Sequence, residues 1–385
     1  TIDLTMKHCL HLIAIALLSL ACVQAEPVAV LPSSFKQAQQ PQIAAGPDGA
    51  VHLVFGTKAE VPHTGKGRRP PADGAIFYVM TRDLKTFTAP VQLAALSKVA
   101  LGMRRGPHIA VTEKALIVTA QSHEDGDVHA WLSTDAGKTW KEQRRINGTA
   151  GSAREGLHAL AGNGRSVVAA AWLDDRNGGA EVWSRVSLDG GLTWQPERLV
   201  YHSPEGFVCQ CCAPAVAVNA EGGVVIMWRN ALAGARDLYS SVSTDGGRTF
   251  APAEKLGQGT WSLNMCPMDG GAITWSAGAE PEAVWRRDTT VYLSSSSTKA
   301  PETKLAAQSM QPLIVMTGKT RTVLWESQGN LMIQSGETEP SVFAEKSRAA
   351  SVTALPDGRA AIAWESMGQN GATLLLAAFT TPSGR

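Results

Sequence analysis

Short apolar runs separated by turn residues recur from about residue 41 to the end of the chain. Glu181-Val182-Trp183-Ser184-Arg185-Val186 alternates apolar and polar positions with period two, the pattern of a strand with one buried face. Runs that begin near Gln42, Pro107, Leu157, Ala213, Gly270, Pro312 and Ala350 each predict a short first strand. The second strand that follows often ends in tryptophan, at Trp172, Trp228, Trp285, Trp325 and Trp364. Third and fourth strands complete each unit, so the pattern predicts seven four-stranded units, with six as the alternative count. The seventh lacks a good fourth strand. Val28-Ala29-Val30-Leu31 can supply it, closing a ring and removing free sheet edges.

A second repeat sits inside the first. Ser133-Thr134-Asp135-Ala136-Gly137-Lys138-Thr139-Trp140 returns as Ser187-Leu188-Asp189-Gly190-Gly191-Leu192-Thr193-Trp194 and as Ser243-Thr244-Asp245-Gly246-Gly247-Arg248-Thr249-Phe250. A shortened copy runs from Thr81 to Phe87 around Asp83. The Asp residues stand at 83, 135, 189 and 245, so the steps are 52, 54 and 56 residues. Each copy reads as a hairpin turn: the carboxylate accepts turn amides, glycine takes the positive-φ position, and the aromatic packs beneath. The pattern S-x-D-x-G-x-T-W/F resembles the Asp box, or BNR repeat, of sialidases and related β-propellers. The resemblance implies an all-β chain folded as a single propeller of four-stranded blades over residues 26–385, its ring closed by the N-terminal strand.

In such a meander the loops after strands two and four share one face, here called upper, and the Asp boxes between strands three and four lie on the other. Asp83, Asp135, Asp189 and Asp245 are therefore expected to be structural. The upper loops gather Arg104, Arg105, Arg154, Arg176, Arg229, Arg286 and Arg287, an unusual concentration in a chain of formal net charge +1. Guanidiniums suit bidentate binding of carboxylate or sulfate, so an acidic glycan or other small anion is the expected partner. The competing reading pairs these arginines with Asp174, Asp175, Glu155, Glu326 and Glu365 in a structural network. The sialidase resemblance further implies an arginine triad, a tyrosine nucleophile and a carboxylic acid/base. Asp174, Glu155 and Tyr201 are the candidates for the catalytic set. Tyr78, Tyr239 and Tyr292 fall within third strands, and Arg105-Gly106-Pro107 only loosely matches the Arg-Ile-Pro segment of many sialidases.

Composition and cysteine usage narrow the classes. An apolar content of 44% excludes disorder, and the near-neutral charge gives no reason to expect nucleic acid. Met6-Lys7-His8, the apolar run from Cys9 to Val23 and Val23-Gln24-Ala25 read as a signal peptide over residues 1–25, including a short upstream extension. Export to the periplasm or medium is expected, with lipoprotein anchoring at Cys22 as the alternative. No other segment reads as a membrane span, and a monomer is expected. Cleavage after Ala25 leaves Cys209, Cys211, Cys212 and Cys266. Disulfides stapling neighbouring blades are one reading of these thiols, a redox-active disulfide another, and a copper(I) site with Met265, Met268 and Met103 as thioether donors a third. The functional expectation is an exported exo-glycosidase of the sialidase type, acting on or binding anionic glycans at the funnel. Its alternatives are a noncatalytic glycan- or protein-binding propeller and a copper or thiol-redox protein.

Overall fold

The structure, a computed structural model, describes residues 23–35, 37–59, 71–295, 300–369 and 371–381. The body of the expected signal peptide, with Cys9 and Cys22, lies outside the described residues. The described residues form strands and no helix, arranged as seven antiparallel sheets. Blade one comprises Gln39–Ala45, Val51–Lys58, Gly74–Thr81 and Val91–Leu96; blade two His108–Val111, Leu116–Gln121, Val128–Ser133 and Lys141–Glu142. Blade three comprises His158–Gly162, Val168–Asp174, Glu181–Ser187 and Arg198–Tyr201; blade four Ala215–Val218, Val224–Arg229, Leu238–Ser243 and Glu254–Lys255. Blade five runs through Gly271–Thr274, Glu282–Arg287, Thr290–Ser295 and Thr303–Ala307, and blade six through Met310–Thr317, Thr320–Ser327, Asn330–Ser335 and Ser341–Ala344. Blade seven holds Ser347–Ala354, Arg359–Gly368 and Gly371–Thr380. The first strands of successive blades neighbour one another around a closed ring.

The seventh blade borrows its outer strand from the other end of the chain, as the sequence predicts. Val28 and Ala29 pair with Leu376 and Leu375, and Val30 N–H donates to Leu374 O at 2.9 Å. Val23–Gln24 also pairs with the same strand, opposite Thr380 and Phe379. Val30 and Leu31 are buried against Leu374 and Leu376, so the closure is apolar as well as hydrogen-bonded.

The hydrophobic core is divided among the blade interfaces. Seven apolar clusters each span one pair of neighbouring blades. Second strands are covered on both faces, which explains why Val168–Asp174 and Val224–Arg229 are buried throughout. Trp172, Trp228, Trp285, Trp325 and Trp364 fill these interfaces.

The Asp boxes lie between third and fourth strands, on the lower face. In blade three the Ser187 hydroxyl donates to Asp189 Oδ1 at 2.8 Å, and Gly191 N–H to Ser187 Oγ at 2.8 Å. Thr193 donates its N–H to Oδ1 at 2.9 Å and its hydroxyl to Oδ2 at 2.6 Å. Asp135 and Asp245 repeat the set, and Asp83 keeps the threonine contacts. Hydrogen bonds from Thr139 and Ser133 hold the Asp135 carboxyl at about 2. The glycine two residues after the aspartate of each full box faces the preceding blade. A Cβ at Gly137, Gly191 or Gly247 would lie 2.2, 2.4 or 2.3 Å from Tyr78, Ile117 or Val186 respectively. Gly191 also has φ of 90°, so alanine there is strained twice. Gly191→Ala should lower stability by about 2–4 kcal/mol in urea unfolding. An unchanged midpoint would contradict this role for the box.

Candidate functional site at the upper mouth

Most of the arginines expected to face a ligand are spent on the protein itself. Arg229 ends the second strand of blade four and is 1% exposed. Its Nε and Nη2 donate to Asp269 O at 3.1 and 2.9 Å, Nη2 also to Arg286 O at 3.0 Å, and Nη1 to Arg236 O at 2.5 Å. The guanidinium thus fastens blade four to the start of blade five and is buried there instead of standing open at the mouth. Arg286 occupies the equivalent position in blade five, after Trp285. Its Nε lies 2.7 Å from Asp269 Oδ2 as an ion pair, at an angle unlike that of a hydrogen bond, and Nη2 donates to Pro267 O at 2.8 Å. Arg287 pairs with Glu302 and lies 4.0 Å above the Tyr292 ring.

Blades six and seven use glutamate where blades four and five use arginine. Glu326 and Glu365 follow Trp325 and Trp364, and each reaches the next blade. Glu326 Oε1 accepts from Ala349 N–H at 2.8 Å, and Glu365 Oε1 from Gln40 N–H at 2.8 Å. Asp269 Oδ2 accepts from Gln311 N–H at 3.0 Å. Ala349, Gln40 and Gln311 have φ of 51°, 53° and 52°, so each carboxylate holds a left-handed residue at the top of a first strand. Burial pushes the Glu326 carboxyl up. This repeated latch is the feature that sequence reasoning missed. Its signal was the alignment of Trp228-Arg229 and Trp285-Arg286 with Trp325-Glu326 and Trp364-Glu365.

The catalytic candidates stand in three different settings. Asp174 is fully buried, accepting from the Ser152 hydroxyl at 2.6 Å, Trp172 Nε1 at 2.7 Å and Arg176 Nε and Nη2 at 2.8 and 2.7 Å. Burial would raise its carboxyl, but these bonds, Arg176 foremost, pull it below the usual range. Its carboxylate is engaged on both oxygens by internal donors. Arg176 is shared between Asp174 and Glu197 and lies 3.8 Å over the Trp183 ring. Tyr201 is the last residue of the outer strand of blade three and does not face the funnel. Its ring packs 4.9 Å from Trp228, and its hydroxyl accepts from Asn230 Nδ2 at 2.8 Å. Glu155 is partly exposed, its carbonyl accepting from Arg105 Nε at 2.8 Å, and Arg154 is exposed beside it.

Arg104 crosses the propeller axis. It rises from the loop between blades one and two, where Met103 and Arg104 have φ of 52° and 62°. Nη1 donates to Gly271 O of blade five at 3.0 Å, Nη2 to Pro312 O of blade six at 2.8 Å, and Nε to Gln311 Oε1. Burial pushes its guanidinium down, while Asp269, Glu326 and Cys212 oppose the shift. His108 faces this guanidinium and stacks edge-on against His158 at 4.6 Å. Burial, then the Arg104 charge, lowers the His108 imidazole to about 4.

The thiols do converge. Cys209 Sγ lies 3.5 Å from that of Cys211 and 3.7 Å from that of Cys212. Cys209 and Cys212 are buried, Cys211 is partly exposed, Cys266 is exposed, and none of the four is bridged. Two features bring their loops together. Cys209 N–H donates to Arg229 O at 2.9 Å while the Arg229 side chain holds Asp269. Gly270 permits the approach, because a Cβ there would lie 2.5 Å from Ala213 O. Burial opposes ionisation of Cys212. Hydrogen bonds from Cys209 and Cys211, the Arg229 charge and the Asp269 N–H outweigh it and hold that thiol well below its ordinary value. Met268 is partly buried at the base of the Cys266 loop, and Met265 is exposed at its tip.

The comparisons agree with this architecture. The family described as BNR repeat-like domain matches residues 127–307. Residues 127–307 thus resemble BNR repeats, and the described residues fold as a seven-bladed β-propeller. No curated protein matches it. Among solved structures, this propeller is similar to a protein of unknown function from Dyadobacter fermentans at 14% identity and TM-score 0.55, covering 94% of this chain and 99% of that one. An α-L-arabinofuranosidase from Fusarium graminearum superposes at 11% identity and TM-score 0.50, covering 94% and 98%. A Streptococcus pneumoniae sialidase matches at 11% identity and TM-score 0.46, covering 91% and 70%. At these identities the likeness is one of fold.

Replacing Arg229 by methionine removes a buried cation and strands several carbonyls. It should lower stability by about 3–5 kcal/mol, whereas Arg154→Ala, at an exposed position, should change it by less than about 0.5 kcal/mol. Urea unfolding of both variants checks this, and equal midpoints would contradict the joint.

Proposed function

We propose that the protein is an exported, sialidase-like propeller that binds a small glycan-type ligand on its upper face without hydrolysing it. The observation that carries this reading is the condition of the groups a glycosidase would use. Asp174 is saturated by internal donors, Tyr201 packs in an outer strand, and Arg229 is buried in a blade joint. Acid/base and nucleophilic steps need side chains within reach of the scissile bond, and these are withdrawn from the mouth.

A site for binding is nevertheless supported. A cavity of about 260 Å³ opens on the upper side of blade four, lined by Asn230, Asp237, Tyr239, Lys255 and Thr260 among others. This is the scale of one sugar ring, with an aromatic face and convergent polar groups. The anionic class of ligand rests on two cations at the mouth: Lys58, whose ammonium is lowered by burial and then by the Arg105 charge, lies near that guanidinium, while Lys255 at the cavity is ion-paired with Asp237 at 3.4 Å. Export rests on the signal-like segment alone.

A panel of fluorogenic glycosides, including sialosides, uronides and arabinofuranosides, should give no enzyme-dependent release. Titration with free acidic and neutral sugars should show that the acidic ones bind and that their binding weakens with salt. Sustained turnover of any glycoside would overturn the noncatalytic reading. Equal affinity for a neutral analogue would remove the anion.

A further inference from the structure

The upper face carries a second kind of chemistry that a sugar ligand does not use. Three sulfur atoms within 4.8 Å of one another stand at the end of a turn, and among the described residues no histidine or carboxylate joins them. Sulfurs sharing one ion at about 2.3 Å each would be about 3.7–4.0 Å apart. The two separations given above, 3.5 and 3.7 Å, are close to that spacing. The group is open on one side only, because Cys209 and Cys212 are buried while Cys211 reaches the surface. Cys266 is exposed in the neighbouring loop, which the bonds from Arg229 to Asp269 hold against this turn.

A separate observation points to the same ligand. Methionine is ordinarily an interior residue, yet Met103, Met265, Met310 and Met367 are 45%, 65%, 48% and 36% exposed. All four stand on the upper face. Met103 and Met265 are in loops that follow fourth strands, Met310 begins a first strand, and Met367 is at the upper end of a second. Exposed methionines would scatter over both faces if they were incidental. Thioethers and thiolates are soft donors, which select copper(I) over the hard cations.

We propose that Cys209, Cys211 and Cys212 form a binding site for a single copper(I) ion, which reaches it by way of Cys266 and the methionines of the upper face. Arg229, whose carbonyl accepts from Cys209 N–H and whose guanidinium holds the start of blade five, would offset the negative charge of a copper–thiolate group. The site is independent of the sugar-sized cavity on blade four, so either reading can fail without the other.

The test is an anaerobic titration of the full-length protein with copper(I) in competition with a chromogenic chelator, followed by thiolate-to-copper absorption in the ultraviolet. One equivalent should bind. Cys211→Ser alters the partly exposed sulfur, so it should leave the melting temperature unchanged and weaken binding at least about 100-fold. Met265→Leu should slow loading while leaving the stoichiometry at one, and this second variant serves even where a cysteine variant folds poorly. Unchanged affinity in Cys211→Ser would overturn the proposal, as would bound zinc that copper(I) fails to displace. Equal loading rates in Met265→Leu would overturn the methionine route.

Discussion

A guanidinium withdrawn from water needs acceptors on every side, and Arg229 finds them in the carbonyls of Asp269, Arg286 and Arg236. Two of these lie in or at the start of blade five, so the bonds add a polar joint to the apolar packing between the two sheets. A buried charge satisfied in this way is costly to disturb, because removing it strands several polar groups at once. The joint also fixes the loop that carries Cys266 against the turn that carries the other three cysteines. Blades six and seven solve the same mechanical problem with Glu326 and Glu365, whose carboxylates hold left-handed residues in the following blade.

The two faces of the ring are therefore built differently. The lower face closes each blade with a local turn, in which serine, aspartate, glycine and threonine satisfy one another within seven residues or fewer. The upper face is held by contacts between blades, and Arg104 extends them across the axis to blades five and six. Long-range polar contacts leave few side chains free for chemistry. Those that do converge there are sulfurs, beside a cavity of modest size.

The division explains what could be read from the sequence. Seven units, the Asp boxes and closure by Val28–Ala29 were legible because each depends on turn chemistry, strand period or an unpaired edge. The fate of the arginines was not. Whether a guanidinium at the end of a second strand faces a ligand or a carbonyl depends on backbone supplied by the next blade, some forty residues away for Arg229 and Asp269. Tyr201 shows a smaller failure: a displacement of one or two residues at a strand end decides between funnel and blade interface. The meeting of Cys209, Cys211 and Cys212 was anticipated by spacing. That Cys266 lies in the next loop followed from the adjacency of blades four and five.

The central proposal is that the upper face presents reduced, converging thiols on a frame fixed by Arg229. Alkylation at harvest, with denaturation under a metal chelator and mass spectrometry of the intact chain, counts those thiols directly. The account predicts modification of Cys209, Cys211, Cys212 and Cys266 in most molecules. A chain that takes up no label at these four positions, its sulfurs paired in two disulfides, would contradict it.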